Sequence, residues 1–157
     1  MAFRLVRSGG STPEPAVVSM YASGVVHPNS VVEFTRTESL TAQGLIAPAG
    51  SATTTTTVFG VCLDYAQGAS DVLVRVVPFV PGQIWEADCV SAITTLQIGK
   101  KHQLYSNLLL NNTSYNQSGV TGLFLVHQVS GLTTGSGKVH GEFIRLPSAP
   151  QNTTVYY

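Results

Sequence analysis

The sequence predicts an all-β fold: a compact antiparallel β-sandwich or β-barrel, jelly-roll-like, with an extended N-terminal arm. Val is the commonest aliphatic residue, the chain holds 17 Thr, and Gly, Pro or Asn recurs about every ten residues. Val and Thr favour pleated strands, whereas Gly, Pro and Asn favour the turns between them. No segment keeps the 3.6-residue apolar period of a helix over three turns. Short strands joined by turns are therefore expected along most of the chain.

The chain divides by composition into an arm, one domain and a tail. Residues 1–15 form an apolar and basic segment followed by a Gly/Ser/Pro-rich hinge, and this arm is predicted to be flexible. Residues 16–146 form the β domain, and residues 147–157 form a C-terminal tail. The predicted strands cover residues 17–21, 31–36, 58–65, 72–79, 84–88, 102–108, 123–129 and 139–146. The small-residue segment 42–57 and the polar segment 111–119 are predicted to be surface loops.

Two pairs of predicted strands are close enough in sequence to form hairpins. Strand 58–65 is expected to pair with strand 72–79, in which alternation divides the side chains between two faces. One face takes Val72, Val74 and Val76, and the other takes Leu73, Arg75 and Val77. Strand 123–129 is expected to pair with strand 139–146. Centring that hairpin gives the pairs Phe124–Phe143, Val126–Gly141 and Gln128–Val139, with His127 and His140 on the opposite face.

Charge is scarce and balanced in this chain. Eight Lys and Arg face eight Asp and Glu, so the charged share is 10% and the net charge is zero. A protein that holds a nucleic-acid backbone needs clustered Lys and Arg, and no such cluster exists here. No nucleic-acid partner is therefore expected. A neutral, charge-poor surface also lacks the self-repulsion that keeps proteins apart, which favours a chain that functions inside an assembly.

The sequence carries no sign of secretion or membrane insertion. It has no apolar run of signal-peptide length near its start and no stretch of about 18 apolar residues later. We therefore expect synthesis in a cytoplasmic, reducing compartment and no membrane partner. Cys62 and Cys89 lie 27 positions apart, which excludes a CxxC pattern. Both lie in apolar, strand-like segments, which favours buried thiols over a disulfide.

No residue pattern indicates catalysis, a cofactor or a metal ion. Loop 131–138 has five residues between its first Gly and its Gly-Lys pair, where a phosphate-binding loop has four. A cross-strand pair of His127 and His140 would still need a third metal ligand. Glu86 and Asp88 share a strand face, but such an acidic pair is more commonly solvated or paired with a cation. We predict that the chain is not an enzyme and has no cofactor or metal.

Four segments carry a resemblance to a known family. Residues 60–66, 72–88, 123–129 and 139–145 read GVCLDYA, VLVRVVPFVPGQIWEAD, LFLVHQV and VHGEFIR. With the small-residue loop before them, they resemble the small decoration, or cement, proteins of tailed-bacteriophage heads over residues 31–146. The resemblance implies a structural virion protein without an active site. It would lie on the outer capsid surface, bind the major capsid protein, assemble as a homotrimer and stabilise contacts between capsomers.

The predicted contact residues for such partners lie in three places. In the arm, a run of apolar and basic residues would add a strand to a capsid-protein sheet, namely Phe3, Arg4, Leu5, Val6 and Arg7. Trp85 is the only Trp, and it is either a packing anchor or, if exposed, an interface residue. Tyr156 and Tyr157 would anchor the C-terminal tail.

Other functions stay open at this point. Another phage structural part, such as a head-fibre base, a tail component or a capsid component, would share most of these features. A small β-sandwich that binds carbohydrate would expose aromatic residues near Asn, and Tyr105, Tyr115 and residues 111–116 approach that pattern. The strand order, the oligomeric state in solution and the capsid-facing surface are not determined by the sequence.

Overall fold

The computed structural model describes residues 3–7, 15–35, 45–67, 72–113, 122–131 and 137–145. Its strands, in chain order, are β1 (Phe3–Arg7), β2 (Val18–Ala22), β3 (Val25–Val26), β4 (Val31–Phe34), β5 (Leu45–Pro48), β6 (Val58–Cys62), β7 (Ala66–Gln67), β8 (Val72–Pro78), β9 (Ile84–Asp88), β10 (Lys101–His102), β11 (Leu104–Ser106), β12 (Leu109–Leu110), β13 (Phe124–Val129) and β14 (Lys138–Phe143). A short 3-10 helix, Thr95–Gln97, precedes β10. The predicted all-β class is confirmed.

Five strands close into a barrel in the order β2-β5-β4-β6-β8. β2 and β5 are parallel, and the other neighbours are antiparallel. The pairing of β6 with β8 confirms the first predicted hairpin. The prediction of a surface loop over residues 42–57 is wrong for β5. Ile46 of that strand is fully buried in the barrel, and Thr53 and Thr55 are also buried.

A second sheet of five strands, in the order β1-β9-β14-β13-β10, packs against the outside of the barrel. One hydrophobic core fills the barrel, and a second lies between the barrel and this sheet. On β8, Val76 belongs to the barrel core and Val77 to the second core. Strands buried on both faces need apolar residues at successive positions, which explains the continuous buried run of β6. The fold therefore combines both predicted architectures, a closed barrel and a stacked sheet.

Phe143 lies at the centre of an aromatic cluster in the second core. Its ring stacks on Phe79 at 3.8 Å and meets Phe124 edge-on at 4.9 Å between centroids. Phe3 of β1 lies 5.5 Å away from Phe143, and Trp85 of β9 lies 6.4 Å away. Such aromatic pairs contribute roughly 0.5–1.5 kcal/mol beyond the area they bury. The cluster thus joins β1, β9, β13 and β14 to the barrel strand that ends near Phe79.

The β13–β14 hairpin keeps its predicted register only in part. Phe124 lies opposite Phe143 and Val126 lies opposite Gly141, as predicted. Beyond them a bulge shifts the register, so Gln128 lies opposite His140 and the predicted pair of Gln128 with Val139 is wrong. A Cβ added at Gly141 would clash with the backbone oxygen of Leu125 and would lie 2.6 Å from the Phe124 ring. The two strands therefore approach closely where the sheet covers the aromatic cluster.

Cys62 and Cys89 are free, buried thiols, as predicted. Burial raises the pKa of the Cys62 thiol and raises the pKa of the Cys89 thiol to about 12. Within the described ranges, no helix is long and apolar enough to cross a membrane.

Candidate interaction surfaces

β1 is the terminal strand of the five-stranded sheet, where it pairs with β9 in antiparallel fashion. Phe3 lies opposite Ala87, and Arg4 lies opposite Glu86. Side chains alternate along the strand, so Phe3 is fully buried while Val6 is 46% exposed. Among the described strands, none pairs with the other edge of β1. Within the described ranges, the strand is therefore anchored on its inner face and unpaired along its outer edge.

This arrangement changes the prediction for the N-terminal arm. The sequence predicts a flexible segment over residues 1–15, but residues 3–7 form a strand of the chain's own sheet. Residues 8–14 lie outside the described ranges. Residues 3–7 join this sheet because the Phe3 ring reaches the aromatic cluster. In addition, the extended backbone of β1 forms hydrogen bonds with the N–H and C=O groups along the edge of β9.

The predicted contact residues divide by exposure. Phe3 is fully buried and Trp85 is 2% exposed, so both are packing residues of the core in this structure. Of the two predicted roles, Trp85 is therefore a packing anchor and not an exposed interface residue. Its indole N–H donates to Gln83 Oε1 at 3.2 Å. Leu5 is partly buried against the same core. The exposed members of the set are Arg4, Val6 and Arg7. Tyr156 and Tyr157 lie outside the described residues.

The outer face of this sheet carries a row of ion pairs. Glu86 lies between two nitrogen-bearing side chains, with Arg4 Nη2 at 3.3 Å from one carboxylate oxygen and His140 Nε2 at 3.1 Å from the other. Lys138 Nζ donates to Asp88 Oδ1 at 2.6 Å, and this hydrogen bond raises the pKa of Lys138. Glu86 and Asp88 thus share one face, as predicted, and each is engaged by a basic side chain.

The two sheet-face His side chains have separate carboxylate neighbours. His140 faces Glu86, whereas His127 Nε2 lies 3.8 Å from Glu142 Oε1. The bulge in β13 lies between Val126 and Gln128, beside His127. Over the described part of the chain, no group of three or more His, Cys, Asp or Glu side chains is placed to hold a metal ion.

A second exposed surface runs along β2 and β8 on the outside of the barrel. Tyr21 lies directly opposite Leu73, and the two residues are 44% and 56% exposed. Ser19 lies opposite Arg75 on the same face, and both are exposed. Such cross-strand neighbours have Cβ atoms about 4.5–5.5 Å apart, so Tyr21 and Leu73 form one continuous apolar contact area.

The short β3–β7 ribbon extends this surface. β3 follows β2 and β7 precedes β8, so the ribbon prolongs the antiparallel pair. Val25, opposite Gln67, is 44% exposed, and the ring of Tyr65, 53% exposed, lies 5.2 Å from that of His27. We name this surface the ladder face and define it by Ser19, Tyr21, Val25, His27, Tyr65, Gln67, Leu73 and Arg75.

Charge at the edge of the ladder face is neutralised locally. Arg75 donates from Nη2 to Asp64 Oδ1 at 2.7 Å and from Nε to Asp64 Oδ2 at 3.1 Å. The Arg75 backbone N–H also donates to Asp64 Oδ2, at 2.8 Å. These hydrogen bonds hold the pKa of the Asp64 carboxyl below its ordinary value of 3.8. The pair therefore adds no net charge to the ladder face at neutral pH.

Alternation in the sequence predicts one half of the ladder face. Leu73 and Arg75 were expected on one side of the strand and Val74 and Val76 on the other, and this is confirmed. Val77, expected beside Leu73 and Arg75, is buried because the second sheet covers that end of the strand. Tyr21 and Tyr65 carry no sequence signal of exposure, since exposure depends on where the second sheet stops.

Of the residues of the carbohydrate-binding alternative, the structure describes Tyr105 and residues 111–113. Tyr105 on β11 is 56% exposed, but Asn112 is 5% exposed. The Asn112 side-chain amide donates to the backbone oxygens of Ser91 and Ala92, both at 2.8 Å, so it fixes a loop. Tyr115 lies outside the described residues.

Comparison with known proteins adds no relative to this description, because no protein-family model matches the chain and no curated protein matches it significantly.

Proposed function

We propose that this chain is a structural virion protein that binds the outer surface of a tailed-phage capsid as a trimer and stabilises contacts between capsomers. The proposal starts from the resemblance of four segments to capsid decoration proteins. The structural observation that supports it best is the outer edge of β1, with which no other strand of the described ranges pairs. Its partner would be the major capsid protein.

The open edge suits a partner that brings an extended strand. An edge strand presents unpaired N–H and C=O groups, and another chain satisfies them by β-augmentation. In this proposal a capsid segment pairs with the outer edge of β1 and covers Val6, which is 46% exposed. Arg4 is already paired with Glu86 and therefore keeps its side chain on the sheet face.

Anchoring of β1 also affects the affinity expected for such a contact. A strand that orders only on binding loses conformational entropy at that moment and binds weakly. Phe3 already fixes β1 in the sheet, so the acceptor edge is preorganised and that cost is small. Repetition of the contact over a trimer and over a capsid lattice would strengthen attachment further.

Binding to heads tests the proposal directly. Expanded heads of the phage that supplies this chain, stripped of decoration protein, are mixed with the purified chain and sedimented. The wild-type chain is expected to sediment with the heads. Deleting residues 1–10 is a poor test, because it removes Phe3 from the core together with the edge.

A cleaner test places a charge on the edge and leaves the anchor in place. Val6→Lys puts a Lys, a residue that natural edge strands use to block pairing, on the open edge. Leu96→Lys, at a position that is 77% exposed on the 3-10 helix, is the control. We expect V6K to weaken head binding at least about tenfold and L96K to bind as the wild type does. Wild-type protein that stays in the supernatant contradicts the function, and equal binding by V6K contradicts the role of β1.

A further inference from the structure

We propose that the ladder face is the surface through which copies of this chain associate with one another. Its centre is the cross-strand pair Tyr21 and Leu73, and Val25 and Tyr65 extend it along the β3–β7 ribbon. This surface is distinct from the edge of β1, so the inference holds whether or not the chain binds a capsid. The occupant is a second copy of this chain.

The extent of the apolar surface supports an interface between proteins. Four large side chains on the ladder face are between 44% and 56% exposed. At roughly 70–100 Å² of exposed area each, they present about 300–400 Å², which is within the range of the largest and often functional patch on a monomer. A stable interface takes about 800 Å² from each partner, and the polar members of the ladder face supply a rim around this centre.

Charge on this surface favours a second copy over a charged partner. The guanidinium of Arg75 is held by both carboxylate oxygens of Asp64, so the two charges cancel within one chain. A surface that meets its own copy must not repel itself, and a neutral apolar centre meets that requirement. Among the described Asp, Glu, Lys and Arg residues at the ladder face, an acidic or basic partner would find only this compensated pair. The zero net charge of the chain removes long-range repulsion between copies as well.

The backbone geometry determines how copies would meet. β2 pairs with β5 and β8, and β8 pairs with β2 and β6, so both strands of the barrel have partners on each side. Strand addition is therefore unavailable at this place, and contact must be made by side chains packing face to face. Tyr is enriched at the centres of such interfaces because its ring packs and its hydroxyl still finds water or a polar group.

The molar mass of the full chain in solution, measured by light scattering and sedimentation velocity up to about 1 mM, tests the inference. The wild-type chain is expected to move from 16.6 kDa toward a multiple of that mass as concentration rises. Leu73→Lys is expected to raise the concentration at which the chain associates at least about tenfold, because the contact would bury the Lys charge away from water. Leu96→Lys makes the same change at an exposed site off the ladder face and is expected to associate as the wild type does.

A second matched pair guards against an effect of the added charge on folding. Tyr21→Ser removes the central ring, which is 44% exposed, and Tyr105→Ser removes a ring from β11 that is 56% exposed. All variants are compared by circular dichroism and thermal melting before the mass is interpreted. A wild-type mass of 16.6 kDa at every concentration overturns the inference. So does association that persists unchanged in both Leu73→Lys and Tyr21→Ser. Head binding by the wild-type chain and by V6K is a separate readout, so a chain that stays monomeric in solution overturns this inference and leaves capsid binding itself to be decided by sedimentation with heads.

Discussion

Truncating the side chain of Phe3 tests whether the first strand belongs to the folded core. Phe3 is fully buried, and its ring centroid lies 5.5 Å from that of Phe143. Replacing a buried Phe by Ala costs about 3–5 kcal/mol, which includes the cavity that remains. Among the described strands only β9 flanks β1, so partial relaxation is easy and we expect a loss of about 3 kcal/mol, the low end of that range. This is a large part of the roughly 5–15 kcal/mol that stabilises a domain.

Urea denaturation followed by tryptophan fluorescence measures this loss, because Trp85 lies in the same core. With a slope of about 1–3 kcal/mol/M, the midpoint for Phe3→Ala is expected to fall by about 1–3 M. Val6→Ala is the matched control on the same strand, since Val6 is 46% exposed and its truncation should change stability by no more than about 0.5 kcal/mol. A Phe3→Ala protein as stable as the control would refute the reasoning, because it would mean that β1 contributes nothing to the fold.

Three further predictions follow from packing and ionisation. The Cys89 thiol, whose pKa is raised to about 12 by burial, should resist a thiol reagent at neutral pH in the folded protein and react once urea unfolds it; fast native labelling would contradict its burial. Gly141→Ala should destabilise the chain by about 1–3 kcal/mol because its Cβ meets the β13 backbone, whereas Gly50→Ala, with open space around it, should be neutral or stabilising in the same urea titration. The pKa of Asp64 is lowered in the folded state, so its hydrogen bonds to Arg75 stabilise the fold above pH 3.8 and are lost as the pH falls through the folded value. Asp64→Asn should therefore be less stable than the wild type near neutral pH, and the difference should shrink on acidification; a constant difference would show that the carboxylate charge plays no part.

Much of the fold can be predicted from local sequence because the apolar residues of its strands either alternate with polar residues or form continuous runs. The alternation in 72–78 correctly separates Val74 and Val76 from Leu73 and Arg75. The hairpin 124–143 can also be predicted, because its two strands are neighbours in the sequence and pairing them places Phe124 opposite Phe143. Local pattern is less informative on β5 (Leu45–Pro48), where small residues and Pro resemble a loop. That strand exists because it is flanked by β4, which precedes it in the chain, and by β2, which lies further away in sequence.

The candidate surfaces depend on contacts that no local pattern encodes. A short alternating segment such as 3–7 is equally suited to a partner's sheet and to the chain's own, and the choice depends on the free edge of β9. Likewise, Tyr21 and Trp85 are both aromatic residues on strands, yet one is 44% exposed and the other 2%. The difference arises because the second sheet covers one side of the barrel and leaves the ladder face uncovered.

The position of β1 has a consequence for synthesis of the chain on the ribosome. β1 emerges before its partner β9 (Ile84–Asp88), which follows several seconds later at about 5–20 residues per second. The other edge of β9 is occupied by β14, which is made later still. During this interval Phe3 has no core to enter, and the Arg residues at positions 4 and 7 help keep the nascent segment soluble. Residues 3–7 are thus made well before they find their place, because the sheet that holds them is complete only after β9 and β14 have emerged.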